Sequence, residues 1–233
     1  MLIELDDVSH HFGDGPSRRQ VLREVAWRGD EARIGVIGAN GSGKSTLARL
    51  LNGLVLPADG HVRLDGLDTR RRTKAVRRRV GFCFTDPDSQ IVMPTVAEDL
   101  AFGLRRRLPK EQVEERVRHY LERFGLTEHR DHPAHLLSGG QKQLLALASV
   151  LVTEPDLLVM DEPTTLLDLR NAAEVSRVVA GLEQQVVLVT HQLDLLADFD
   201  RVLVVHEGRV VEDDAPAAAI ASYRELMSVD GAP

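Results

Sequence analysis

Leu2–Val8 and Val21–Trp27 alternate apolar and polar residues, and the turn-rich stretch 13–17 separates them, so the pattern predicts an antiparallel hairpin at the start of the chain. The period then changes. Ile34–Ile37 is continuously apolar and enters a glycine loop, and Ser45–Asn52 follows with helical character that ends at Gly53. Strand, loop and helix in that order open a parallel α/β unit. Short buried-type runs recur at Val80–Phe84, Leu157–Met160 and Val186–Thr190 with helical stretches between them, as a parallel sheet covered on both faces requires. Val202–His206 and Arg209–Glu212 flank Glu207 and Gly208 as a closing hairpin.

Strand signals disappear between Asp86 and Val152. Thr95 and Glu98 have capping-box spacing, and Val113, Val117, Tyr120, Leu121 and Phe124 recur at helical spacing after Pro109, which suits a first helical turn. The reading is one domain over residues 2–228, with a helical subdomain at about 86–152 inserted into an α/β parallel-sheet core that carries an N-terminal antiparallel β-subdomain. Pro216 and the alanine-rich Ala217–Ser228 predict a terminal helix.

Composition narrows the classes. The 233 residues are 43% hydrophobic and 28% charged, enough for a core and a solvated surface and too apolar for disorder. A net charge of −7 excludes a generic basic nucleic-acid binder. The single Cys83 permits no internal disulfide and the first residues lack a signal-peptide pattern, so a reducing cytoplasm is expected. The longest apolar runs, such as Leu144–Ala148, fall far short of the roughly 20 residues that cross a bilayer. Any membrane role therefore goes through partner proteins.

Three stretches carry chemistry. Residues 38–46 (Gly38, Ala39, Asn40, Gly41, Ser42, Gly43, Lys44, Ser45, Thr46) fit the phosphate-loop pattern between a buried strand and a helix. Its glycines let backbone N–H groups turn around phosphate oxygens, the helix start adds positive potential, Lys44 reaches the β- and γ-phosphates, and Ser45 can ligate Mg²⁺. Asp161 and Glu162 end a buried parallel strand, the sheet edge where ligands bind. Alone, such a pair is more often the start of a solvated loop. Beside a phosphate loop, Asp161 is placed to hold Mg²⁺ and Glu162 to take a proton from an attacking water. Ser138, Gly139, Gly140 and Gln141 precede the helical run Lys142–Val152. A capping box explains Ser138 and Gln141, whereas a second anion-binding helix terminus also accounts for the two glycines, which cost backbone entropy at a helix start.

In order and spacing, Gly38–Thr46, Leu137–Gln141, Leu157–Glu162, Asp168 and His191 resemble the ATP-binding cassette (ABC) ATPases over nearly the whole chain. The resemblance implies a P-loop NTPase fold and a head-to-tail dimer holding two ATP molecules. Each ATP would lie between the phosphate loop of one subunit and the Ser138–Gln141 stretch of the other. It assigns Phe12 to stacking on adenine, Lys44, Ser45 and Thr46 to phosphates and metal, Asp161 to Mg²⁺, Glu162 to base catalysis, Asp168 to the dimer seam and His191 to the γ-phosphate.

Val80–Gln90 and Thr95–Gly103 further resemble the cobalt and biotin branch, the energy-coupling factor importers, in which a transmembrane coupling subunit and a substrate-binding membrane subunit complete the complex. Thr85 stands where that branch has a metal-contacting glutamine, so a water-mediated metal contact is expected from its hydroxyl, with Gln90 as a compensating residue. The short tail after His191 favours biotin, with cobalt or nickel next. The basic clusters Arg70–Arg72, Lys74, Arg77–Arg79 and Arg105–Arg107 read either as solvated faces or as seats for membrane subunits and anionic headgroups. The lack of a lysine after Asn52 or Asn171 argues against a guanine-nucleotide switch, and the interval from Lys44 to Ser138 has no room for the long coiled coil of the chromosome-associated cassettes. A non-transport regulatory module remains the alternative.

Overall fold

The computed structural model describes residues 1–13, 15–105 and 107–230. Along the chain run β1 (Ile3–Phe12), β2 (Arg19–Gly29), β3 (Arg33–Ile37), α1 (Lys44–Leu51), β4 (Asp59–Leu64), β5 (Leu67–Asp68), α2 (Thr73–Arg79), β6 (Val80–Cys83), α3 (Val96–Phe102) and α4 (Lys110–Arg123). Then follow α5 (Gly139–Leu151), β7 (Leu157–Asp161), α6 (Leu169–Ala180), β8 (Gln185–Val189), β9 (Arg201–His206), β10 (Arg209–Asp214) and α7 (Pro216–Asp230). The chain divides into two units: Met1–Val80, Asp156–Asp161 and Gln184–Pro233 form the first, Gly81–Pro155 and Glu162–Glu183 the second. The mixed α/β phosphate-loop fold with an N-terminal antiparallel β-subdomain and helical insertions is present.

In the first unit the expected hairpin forms one side of a wider antiparallel sheet of order β2-β1-β4-β5, with β2 at its edge. Inward residues of β1 fall at Ile3, Leu5 and Val8, and those of β2 at Leu22, Val25 and Trp27, all buried. The step of three in each strand is a bulge, with Asp7 and Glu24 both at φ 49° and the register shifting between Leu5 and Val8. One extra residue per strand restores the inward phase. The second sheet of this unit has the order β10-β9-β3-β8-β7, with β9, β3, β8 and β7 mutually parallel and β10 antiparallel on β9. Val36 of β3 and Asp161 of β7 both register with Val189 of β8. Three strand ends are thereby brought to one edge, and the loops that leave them share it.

In the second unit, the apolar stripe of α4 is buried at Val113, Val117, Tyr120 and Leu121, and the Tyr120 hydroxyl donates to Leu151 O at the end of α5 (2.8 Å). Pro109 is the residue before α4, extended at ψ 156°, and not in its first turn. Thr95 caps α3 by accepting from Glu98 N, but its hydroxyl donates to the Glu98 carboxylate (2.8 Å), so that pair meets side chain to side chain. Among the described residues, no helix is long and apolar enough to cross a membrane.

Candidate functional site

The loop between β3 and α1 is shaped by glycines that no other residue can replace. Gly38 adopts φ 151°, and a Cβ there would lie 2.0 Å from Val205 O. Gly43, the residue before α1, adopts φ 110°, where a Cβ would meet Val21 O and Leu22 at 2.8 Å. Held this tightly, the loop is anchored by Ser42 N donating to Ala39 O (3.2 Å) and Gly208 N donating to Ser42 O (2.9 Å). Asn40 and Gly41 form its outer turn, and Thr46 is buried in the first turn of α1. Lys44 is 5% exposed, and its ammonium donates to Gly38 O and Ala39 O, both at 2.9 Å. A buried cation thus sits inside the ring of backbone that opens the helix. The Ser42 hydroxyl is buried in the same loop without a hydrogen-bond partner, an orphaned polar atom of the kind an anion satisfies.

Asp161, 1% exposed at the end of β7, accepts from Ser45 Oγ at 2.8 Å, and its other oxygen lies 3.5 Å from the Arg49 guanidinium. Sequence reasoning missed Arg49. Its signal was the spacing of four from Ser45, which puts both on one face of α1. His191 is exposed just past β8, on the edge that Val189 and Asp161 define by register. Phe12 ends β1, half-exposed, with its ring edge against His10 at 4.8 Å between centroids. Burial leads the effects that lower the affinity of His10 for protons below the ordinary imidazole range, with the neighbouring His11 adding to it.

The second unit carries the other predicted residues. Ser138 caps α5 in a complete capping box: its hydroxyl accepts from Gln141 N (3.3 Å) while Gln141 Oε1 accepts from Ser138 N (2.9 Å). Gly139 faces open space, but a Cβ on Gly140 would lie 2.2 Å from Asn171 Oδ1. Close approach of α6 therefore explains Gly140 without any ligand. Asn171, to which the sequence assigned no part in this turn, also donates through its backbone and side chain to Asp168, the cap of α6 (2.8 and 3.0 Å). Glu162 adopts φ 53° and accepts from Thr165 Oγ1 at 2.9 Å. Thr85 follows β6 and is half-buried. Gln90 accepts from Phe84 N (3.1 Å) and donates to Ala146 O (2.7 Å), so its amide braces backbone. Cys83 packs in the core as expected, its thiol pushed up to about 12 by burial.

The basic clusters are in part internal struts of the first unit. Arg70 donates to Pro57 O, Arg77 donates to Gly53 O at 2.7 Å, and Arg79 pairs with Asp65 (2.6 Å) and Asp156 (2.5 Å). Arg106 lies outside the described residues.

The family pattern of the ABC transporters matches residues 29–165. A Deinococcus radiodurans protein named as an ABC transporter ATP-binding protein is 57% identical over 97% of this chain and 99% of its own length. A biotin transport ATP-binding protein of Rhizobium etli is 53% identical over 84% of this chain and 88% of its own. An energy-coupling factor transporter ATP-binding protein of Symbiobacterium thermophilum is 47% identical over 84% and 71%. Among solved structures, the fold matches cbiO1 from Clostridium perfringens, part of the transporter complex cbiONQ, with a TM-score of 0.81 at 30% identity over 98% of this chain and 94% of that one. It matches equally well the dimeric ATP-binding cassette MJ0796 in a post-hydrolysis state with ADP and phosphate, at a TM-score of 0.81 and 26% identity over 92% and 98%. Phosphate loop, aligned strand edge and these likenesses agree, and the chain belongs to the ABC transporter family as one of its ATP-hydrolysing domains, related to the ATP-binding subunits of the energy-coupling factor, cobalt and biotin type.

Proposed function

We propose that this chain is the motor of an energy-coupling factor importer, binding and hydrolysing ATP to drive uptake of a vitamin or metal ion, with biotin first and cobalt or nickel next. The observation that carries the motor reading is the buried Lys44 ammonium ringed by loop carbonyls, beside a Ser45 hydroxyl held 2.8 Å from Asp161. The names of the biotin and energy-coupling factor relatives support the branch, and the 53% identity to the biotin transport protein supports biotin. In this reading the ATPase works as a homodimer at the cytoplasmic face of the membrane, seated on a transmembrane coupling subunit and a substrate-binding membrane subunit, with no nucleic-acid partner.

The residues divide the work. Phe12 stacks on the adenine. Asn40, Gly41, Ser42 and Gly43 turn N–H groups toward the phosphates, Lys44 neutralises the β- and γ-phosphates, and Thr46 adds a hydroxyl at the helix start. Ser45 and Asp161 are hard oxygen donors on one side of the loop, a set that fits Mg²⁺ because this ion keeps several waters and takes phosphate oxygens for the rest. When bound, Mg²⁺ offsets charge on the transferring phosphoryl group. Thr85 contributes a water-mediated contact to it. Glu162, oriented by Thr165, takes the proton of the attacking water, and His191 donates to the γ-phosphate. Ser138, Gly140 and Gln141 of one subunit close on the ATP of the other, with Asp168 at the seam. Hydrolysis removes the bridging charge and releases the closure.

Replacing Glu162 by glutamine should keep ATP binding, trap the closed dimer and slow turnover by about 10²–10⁴. Unchanged steady-state hydrolysis would reject the assignment. Lys44→Ala should instead lose nucleotide binding. Uptake of labelled biotin and cobalt, measured in parallel on the isolated membrane complex, decides the cargo.

A further inference from the structure

The carboxamide of Gln141 is fixed from one side. Its oxygen accepts from Ser138 N at 2.9 Å, so the amide nitrogen points the other way, where it lies 2.8 Å from His129 Nε2. An amide N–H donates there only to a bare ring nitrogen, and a neutral imidazole with bare Nε2 carries its hydrogen on Nδ1. That Nδ1 lies 2.9 Å from His132 Nδ1, which must in turn be bare, leaving the His132 hydrogen on Nε2. The chain of donors runs Gln141 to His129 to His132. No inward nitrogen has room for another proton, since one added to His129 Nε2 or His132 Nδ1 sets two N–H groups face to face.

We propose that His129 is a positioning residue for the Ser138–Gln141 turn, holding Gln141 only while both His129 and His132 are neutral, so that acid loosens the turn. Water reaches the rings through a cavity of ≈ 230 Å³ lined by His129, His132, Pro133, Leu136, Leu137 and Gln141. The charged groups around them are Glu128, Arg130 paired with Asp131 (3.9 Å) and His135 on the same segment. From α5 comes Lys142, engaged with Asp88 at 2.7 Å. Among the described residues no carboxylate is hydrogen-bonded to either imidazole. The inference rests on the reading that this turn completes the partner's ATP site. His129 itself touches no substrate in that reading.

The test is kcat and the KM for ATP of the full chain from about pH 8 down to about pH 5.5, for wild type, His129→Ala and His129→Gln. At the alkaline end His129→Ala should lose about fivefold in kcat, the worth of one neutral hydrogen bond, with KM within about twofold. His129→Gln supplies an acceptor that does not titrate, so it should restore kcat at high pH and flatten the acid limb. A wild-type acid limb in His129→Gln, or wild-type kcat throughout in His129→Ala, overturns the inference. Imidazole ¹⁵N spectra of the unmodified protein test it without turnover: hydrogen on Nδ1 of His129 and Nε2 of His132 is the expected result, and hydrogen on Nε2 of His129 overturns it. Those tautomers in a chain that hydrolyses no ATP would sink the functional reading and leave the hydrogen-bond relay standing.

Discussion

Gly140 is where one hydrogen in place of a methyl decides the packing. Because a Cβ there would press on Asn171 Oδ1 at 2.2 Å and Asn171 Cβ at 2.9 Å, Gly140→Ala should destabilise the protein by about 1–3 kcal/mol, as overpacked sites do. Chemical denaturation should show part of that loss returning in the Gly140→Ala, Asn171→Ala pair, a non-zero coupling, because removing Oδ1 and Cγ relieves the shortest contacts and leaves the one to Asn171 Cβ. Cys83 offers a second residue-level check. With its thiol pushed up to about 12 by burial, almost none is thiolate at pH 8, so alkylation of the native protein should be very slow and become fast on unfolding. Much of the site was legible at this scale because the phosphate loop is contiguous: Lys44, Ser45 and their glycines announce themselves in nine residues. Arg49 against Asp161, Asn171 against Gly140 and His129 against Gln141 were not, since each pair is made by the fold and neither member is unusual alone.

At the scale of elements, the Ser138 turn has two readings, and one substitution separates them. Ser138→Ala removes the cap of α5 and should cost about 1 kcal/mol of stability. Ser138→Asp keeps a good cap but turns a carboxylate toward phosphate, so stability should hold while hydrolysis falls by more than about tenfold. Equal activity of Ser138→Asp and wild type would leave the turn as a capping motif and nothing more. The buried strands were readable from continuous apolar runs, and the closing hairpin from its turn. Among the elements missed were β4, with inward residues only at Val62 and Leu64, and α2, in which Val76 alone is buried among basic neighbours. Neither has the periodicity that marks an element, and β4 is a strand chiefly because β1 offers it an edge, from Ile3 against Leu64 to Ser9 against Asp59.

For the molecule as a whole, nucleotide is a folding ligand. In the Glu162→Gln background, ATP at about a hundred times its Kd should add about 2.7 kcal/mol, a rise in Tm of about 5–10 °C for a chain of this size. Differential scanning calorimetry should show no such rise in Lys44→Ala. The second unit takes in Gly81–Pro155 and Glu162–Glu183, and its joints in the chain, such as the one between Asp161 and Glu162, have no marker in composition. That joint sets a conflict between durability and work. Glu162 holds a left-handed backbone at φ 53°, a strain of about 1–2 kcal/mol for a residue with a side chain and none for glycine. If Glu162 is the base, glycine at 162 would relieve that strain and forfeit turnover, so durability and hydrolysis pull against each other at this one position.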